Sequence, residues 1–246
     1  MSWLETFGRY CLFIRNIFKT PEKAIVYYRQ IIREIENLGM ASIGIVAIIS
    51  FFIGAVITIQ TAQNMENPML PRYLIGIMVR DTVLLEFSSS IIALILAGTV
   101  GSSIASEIGT MRVSEQIDAL EIMGVNPPCF LVLPKIIAAL FFFPFLTLMS
   151  MGISIFGGWI AGVTTGVVSS GQFIYGLRIA LNTYFITYAC VKMLFYAFIV
   201  VTVPAYFGYH VSGGSIEVGK AGTHSVVWTN ILILGADLIL TQMMLV

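Results

Sequence analysis

The chain has 246 residues, of which 58% are hydrophobic and 11% charged, against roughly 25% charged in soluble domains. Thirteen basic and thirteen acidic residues cancel, and the mean hydropathy is +0.93. These figures exclude a disordered chain, a water-soluble enzyme with an ordinary polar coat, and a protein drawn to nucleic acid by a basic field. Cys11, Cys129 and Cys190 lie far apart without a C-x-x-C pair, so they read as buried apolar thiols.

Six basic and four acidic residues fall within the first 36 positions. Trp3, Phe7, Tyr10, Ile14 and Ile17 recur at helical spacing, with Glu5, Arg9, Asn16 and Lys19 on another face. Thr20-Pro21 supplies an N-cap and an N1 proline, and a second stripe follows at Ile25, Tyr28, Ile31, Ile35 and Leu38. Residues 1–40 therefore read as interfacial amphipathic helices with a basic polar face; a soluble hairpin packed on a partner is the alternative.

Charges are absent from Asn37 to Met65, Phe87 to Ser106, Ile136 to Leu177, Met193 to Ile216 and Ala221 to Ala236. A bilayer core of about 30 Å needs roughly 20 apolar residues in helix. Spans are predicted at 43–63, 84–106, 135–165, 185–207 and 223–244. The fold class is an all-α integral membrane protein with about five transmembrane helices. Periodicity leaves open whether 135–178 holds one span or two. With the N-terminus inside, the inner side holds nine Lys and Arg and the outer side four. The positive-inside rule thus predicts a cytoplasmic N-terminus.

Between the second and third spans, residues 107–127 are polar enough to leave the membrane and regular enough for a helix. Val113, Ile117, Leu120 and Gly124 line one face; Arg112, Glu115, Asp118 and Glu121 line the other. Gly124 and Pro127-Pro128 are expected to stop it. Such a helix either docks in a groove on another protein or is a solvated connector.

Ionisable residues in spans are costly and point to function. Here they are Glu86, Lys192 and Asp237. A Lys192–Asp237 ion pair and a role on a substrate path are both open, as is an Arg80–Glu86 pair. Small residues recur at Ala93, Ala97, Gly101, Ala105 and Gly109, and again at Ser154, Gly158, Gly162 and Gly166. They let backbones approach within the chain or across a dimer seam. Gly214 to Lys220 matches G-x-x-x-x-G-K, but Ala221 replaces the Mg²⁺-binding hydroxyl and the segment follows no core strand. It reads as a loop, and His210 and His224 beside it make no metal site.

The run from Ala97 to Pro127, AGTVGSSIASEIGTMRVSEQIDALEIMGVNP, resembles the signature of the MlaE/YrbE family, permease subunits of ABC lipid transporters. Pro144-Phe-Leu-Thr147, Lys192, Gly219 to Val227 and Asp237 to Thr241 resemble further family segments. Two family features are missing: the Arg and Gly-Pro around Glu86, and the Arg of Gly-Arg-x-Gly at Gly98 to Gly101. The resemblance implies a non-catalytic membrane subunit that moves phospholipids or related lipids between the inner and outer membranes. It implies an inner-membrane location, a second copy of the chain, an ABC ATPase that binds the ATP and Mg, and an MCE-domain lipid-binding protein. It also leaves room for a small STAS-domain regulator. No cofactor is expected on this chain itself. Glu107, Gly109, Arg112, Glu115, Asp118, Glu121 and Gly124 would couple to the ATPase. Glu86, Lys192 and Asp237 would border the lipid path. Ala97, Gly101, Ala105, Gly158 and Gly162 would pack helices. The competing class is a secondary transporter that uses Glu86, Lys192 and Asp237 as an ion relay; it would show inverted hydropathy repeats, and none is visible.

Overall fold

A computed structural model describes residues 3–19, 24–65, 71–179 and 181–245. Of the described residues, 89% are helical and none lies in a strand. The helices are α1 (Trp3–Ile17), α2 (Ala24–Glu34), α3 (Ala41–Asn64), α4 (Tyr73–Thr82), α5 (Ile92–Leu96), α6 (Ser102–Val113), α7 (Gln116–Ile122), α8 (Pro127–Thr164), α9 (Ser170–Arg178), α10 (Tyr184–Tyr209) and α11 (Ser215–Leu245). π-Helical segments at Ile35–Met40, Val83–Ile91 and Ala97–Gly101 join α2 to α3 and link α4, α5 and α6.

Among the described residues, five helical runs are long and apolar enough to cross a membrane: Tyr27–Asn64, Tyr73–Val113, Pro127–Thr164, Tyr184–Tyr209 and Ser215–Leu245. The predicted spans fall within these runs, except that 135–165 passes the end of its run by one residue. In hydrocarbon every backbone polar group must be bonded within its own helix. The 135–178 region holds one long helix, α8, and then the separate short α9.

Two expectations change. The second N-terminal stripe does not form a free interfacial helix; it is the opening of the run that continues into α3. The polar linker 107–127 is not one helix either. Residues 107–113 finish α6. Glu115 then adopts φ 59, α7 follows, Gly124 turns the chain at φ 78, and Pro127 opens α8 rather than closing what precedes it. Proline at a first helical position loses no bond, because that N–H has no partner within the helix. The Thr20-Pro21 cap lies outside the described residues, and so do the side chains of Trp3 and Ile25.

The chain divides into two compact units. The first comprises Met1–Ser42, Ala93–Phe142 and Phe195–Ile239. Here Phe13 and Ile17 of α1 are buried, with Phe13 edge-on to Tyr206 at 5.7 Å, while Phe7 and Phe18 stay exposed. The Tyr10 hydroxyl lies 2.7 Å from that of Thr202, and burial raises the Tyr10 phenol above its ordinary pKa. The Asn126 amide donates to the carbonyls of Asn16 and Lys19, both at 2.9 Å, and so ties the end of α1 to the turn before α8. Of the three thiols only Cys129 is buried; Cys11 is exposed.

The second unit comprises Ile43–Ile92, Phe143–Leu194 and Leu240–Val246. Its core joins Ile57, Ile75, Val79, Val83, Val168 and Phe173. α4 and α9 meet through glycine on both sides: a Cβ on Gly76 would stand 2.6 Å from the Phe173 carbonyl, and one on Gly176 would run into the Tyr73 carbonyl. α3 and α8 approach as closely, with Gly157 against the Phe51 backbone and Gly158 against Thr58. The Ser50 hydroxyl donates to that of Ser150 at 2.8 Å.

Candidate functional site

The predicted small-residue positions pack within the chain, except Gly166, which is exposed with nothing near it. In the first unit, Ala97 and Ala105 are fully buried. A Cβ on Gly101 would meet Pro204 at 3.1 Å, one on Gly109 would meet Val218 at 3.1 Å, and one on Gly208 would lie 2.6 Å from the Ala105 carbonyl. In the second, Gly158 and Gly162 face Thr58 of α3. These alanines and glycines let helix backbones approach closely within each unit.

The turn around α7 is held from below. Ile117 is fully buried. Arg112 donates to Asp118 at 2.5 Å and lies over the Tyr209 ring at 5.8 Å. The Tyr209 hydroxyl donates to Glu121 at 3.0 Å. Three of the seven predicted coupling residues thus fix the turn to the end of α10. Glu107 belongs to a different arrangement: Lys135, itself buried, donates to Glu107 at 2.8 Å and to Glu34 at 2.9 Å, joining α2, α6 and α8. Gly109 packs on α11 and Gly124 makes the turn. What remains open to a partner is Glu115 together with Ile122 and Met123, which are 87% and 68% exposed. The last two were missed from the sequence. Their signal was two adjacent apolar residues placed directly before a turn glycine in a polar linker.

In the second unit, Lys192 of α10 is fully buried, and its Nζ donates to both Glu86 oxygens at 3.0 and 3.1 Å. It also reaches the Thr241 hydroxyl at 3.1 Å and lies 4.8 Å from the Tyr188 ring centroid. Tyr188 donates to Thr241 at 2.9 Å, and Ser90 donates to Glu86 at 3.2 Å. A buried ammonium needs this many partners, because an ion out of water costs several kcal/mol. Glu86 keeps 39% of its side chain accessible. It opens on a cavity of about 430 Å³ lined also by Thr61, Asn64, Asp81, Leu85 and Met78. Its segment is π-helical, a wide turn that is frequent at functional sites. Arg80 instead uses its guanidinium on Asp81 and on the carbonyls of Leu177 and Ile179. Asp237 accepts the Tyr196 hydroxyl at 2.7 Å within the first unit.

The cavity beside Glu86 mixes carboxylate, amide and hydroxyl groups with Met78 and Leu85, a lining suited to the junction of a polar head and an apolar tail. Comparison with known proteins shows which family the chain belongs to. The Permease MlaE family profile matches residues 31–243. A probable ABC transporter permease protein of Rickettsia bellii is 31% identical over 243 residues, covering 97% of this chain and 92% of the relative. The intermembrane phospholipid transport system permease protein MlaE of Haemophilus influenzae is 30% identical over 219 residues, covering 89% and 84%. The chloroplast protein trigalactosyldiacylglycerol 1 of Arabidopsis thaliana is 30% identical over 232 residues, covering 89% of this chain and 63% of the plant protein. The profile runs from the opening of the first membrane helix almost to the end of the last and takes in both the α7 turn and the Glu86–Lys192 pair, and on that match this multi-pass membrane chain belongs to the MlaE permease family.

Proposed function

We propose that this chain is the permease subunit of an ABC transporter that moves phospholipid between an inner and an outer membrane. ATP and Mg are bound and consumed by a separate ATPase. The observation that carries the reading is the family match joined to a turn that exposes Ile122 and Met123 outside the apolar runs. Two apolar side chains held at a rigid tip are anchors for a groove on a partner, and Glu115 adds a charge beside them. In the second unit Glu86, held by Lys192, borders the lipid path; in the first, Asp237, which accepts from Tyr196, is assigned to the lipid path as well. A second copy completes the path, an MCE-domain protein extends it, and a STAS-domain subunit regulates the ATPase. The N-terminus and the α7 tip face the cytoplasm, in accord with the Lys and Arg bias. The family match favours this reading over an ion-driven carrier, which would need no docking tip.

The test is co-purification. An ABC ATPase co-expressed with this chain should bind it, and Ile122→Asp with Met123→Asp should weaken that binding at least about tenfold, the scale of two lost interface anchors. Undiminished capture of the ATPase by the double variant would remove the tip from the interface.

A further inference from the structure

A second cavity of about 430 Å³ lies in the first unit, where α1, the end of α10 and the start of α11 converge. Its lining brings Arg9 of α1 together with His210, Glu217, Lys220 and His224. Two permanent cations therefore face one carboxylate, with two imidazoles beside them. On α11, Glu217, Lys220, Ala221 and His224 share one face at helical spacing. Both cations have neighbours: Arg9 pairs with Glu5 and Lys220 with Glu217, each at 2.8 Å. Those pairs are about half exposed, and pairs of that kind are weak enough for a stronger anion to replace them.

What lies below the cations on the same helix face decides the kind of anion. Val227, Ile231, Leu234 and Leu238 continue the Lys220–His224 line at intervals of three and four, and all four are more than half exposed. The ridge from Val227 to Leu238 is ~16 Å long at helical rise, close to one leaflet of a hydrocarbon core of about 30 Å. Cations at the head and an apolar ridge one leaflet deep match an amphiphile, not a soluble anion. Phe7 on α1 and Phe18 just past its end are exposed as well, which sets that helix at the membrane surface.

We propose that this cavity binds the phosphate of a membrane phospholipid through Arg9 and Lys220, with His224 beside it and one acyl chain lying along Val227, Ile231, Leu234 and Leu238. It is a holding site apart from the cavity at Glu86, and it stands on the membrane location of the chain without needing the transport reading. The ligand class is a phosphodiester carrying acyl chains. A free phosphate shares the head chemistry, and a second copy of this chain could instead cover the ridge, so the experiment separates all three.

The full-length chain carrying a photo-crosslinking benzoylphenylalanine at position 227 is placed in vesicles of phosphatidylcholine with radiolabelled phosphatidylglycerol, and a matched sample carries the crosslinker at the exposed position 243. In the Arg9→Gln/Lys220→Gln background, capture of labelled lipid at 227 should fall about tenfold, the scale set by two basic residues at a charged surface, while capture at 243 stays unchanged and reports correct insertion. Equal capture at 227 in both backgrounds overturns the site. Crosslinking of 227 to a second copy of the chain in place of lipid overturns it in favour of a dimer seam. In a parallel arm, the detergent-solubilised chain should retain no more labelled glycerol 3-phosphate than the double variant does; retention that depends on Arg9 and Lys220 without lipid capture assigns the cavity to a soluble phosphate and overturns the lipid.

Discussion

Lys192 and Glu86 meet inside the second unit, and each explains the other. A fully buried ammonium is tolerable only beside a carboxylate and further acceptors, and Glu86 combines that duty with a face on the cavity. Groups in direct contact respond non-additively, with coupling of roughly 0.5–3 kcal/mol. Glu86→Gln and Lys192→Met should show coupling of that size when the single and double variants are unfolded in a detergent titration; additive losses would mean that the two side chains act apart. Glu86→Gln should still fold and bind the ATPase yet alter lipid-stimulated ATP turnover. The pair was half legible in the sequence. Charges within apolar runs marked Glu86 and Lys192 as costly, but proximity along the chain suggested Arg80 for Glu86. The 106-residue separation of the true partners gives no local signal. That Tyr188 and Thr241 also touch the ammonium was invisible for the same reason. Ordinary polar residues in a span carry no mark until the helices are placed.

At the scale of elements, glycine decides which helices touch. A Cβ on Gly176 would run into the Tyr73 backbone, and backbone cannot step aside as a side-chain tip can. Gly176→Ala should therefore cost about 1–3 kcal/mol, the range for overpacking, seen as a lowered melting temperature in detergent. Gly8→Ala on α1 meets nothing within 4 Å and should be stabilising by up to about 1 kcal/mol through helix propensity. If the two substitutions behave alike, the close approach of α4 and α9 is wrong. Glu115 offers a third test, since its φ of 59 is strained for a residue with a Cβ. Glu115→Gly should leave the turn intact and raise stability slightly, by up to about 1 kcal/mol, in the same melting assay. The five long helices were legible because lipid imposes uniform apolar stretches. The break inside 107–127 was not, because it depends on a left-handed glutamate that sequence rules do not favour. The continuity of α2 with α3 was hidden as well. An amphipathic stripe followed by an apolar run looks the same whether the joint bends or stays helical.

For the whole molecule, the proposed function assigns the α7 tip to a partner ATPase and the Glu86 cavity to lipid. On the proposed orientation, with the N-terminus cytoplasmic, five spans would put residue 245 on the outer side, so a cysteine introduced there should react with an impermeant thiol reagent added from outside; protection would indicate the opposite orientation. The most direct measurement is phospholipid movement itself. The chain, purified with its ATPase and reconstituted into vesicles, should transfer labelled phospholipid to or from an acceptor only when ATP and Mg are supplied, and Ile122→Asp with Met123→Asp should abolish both transfer and its ATP dependence. Transfer that continues without nucleotide and instead follows an imposed proton or sodium gradient would contradict the account.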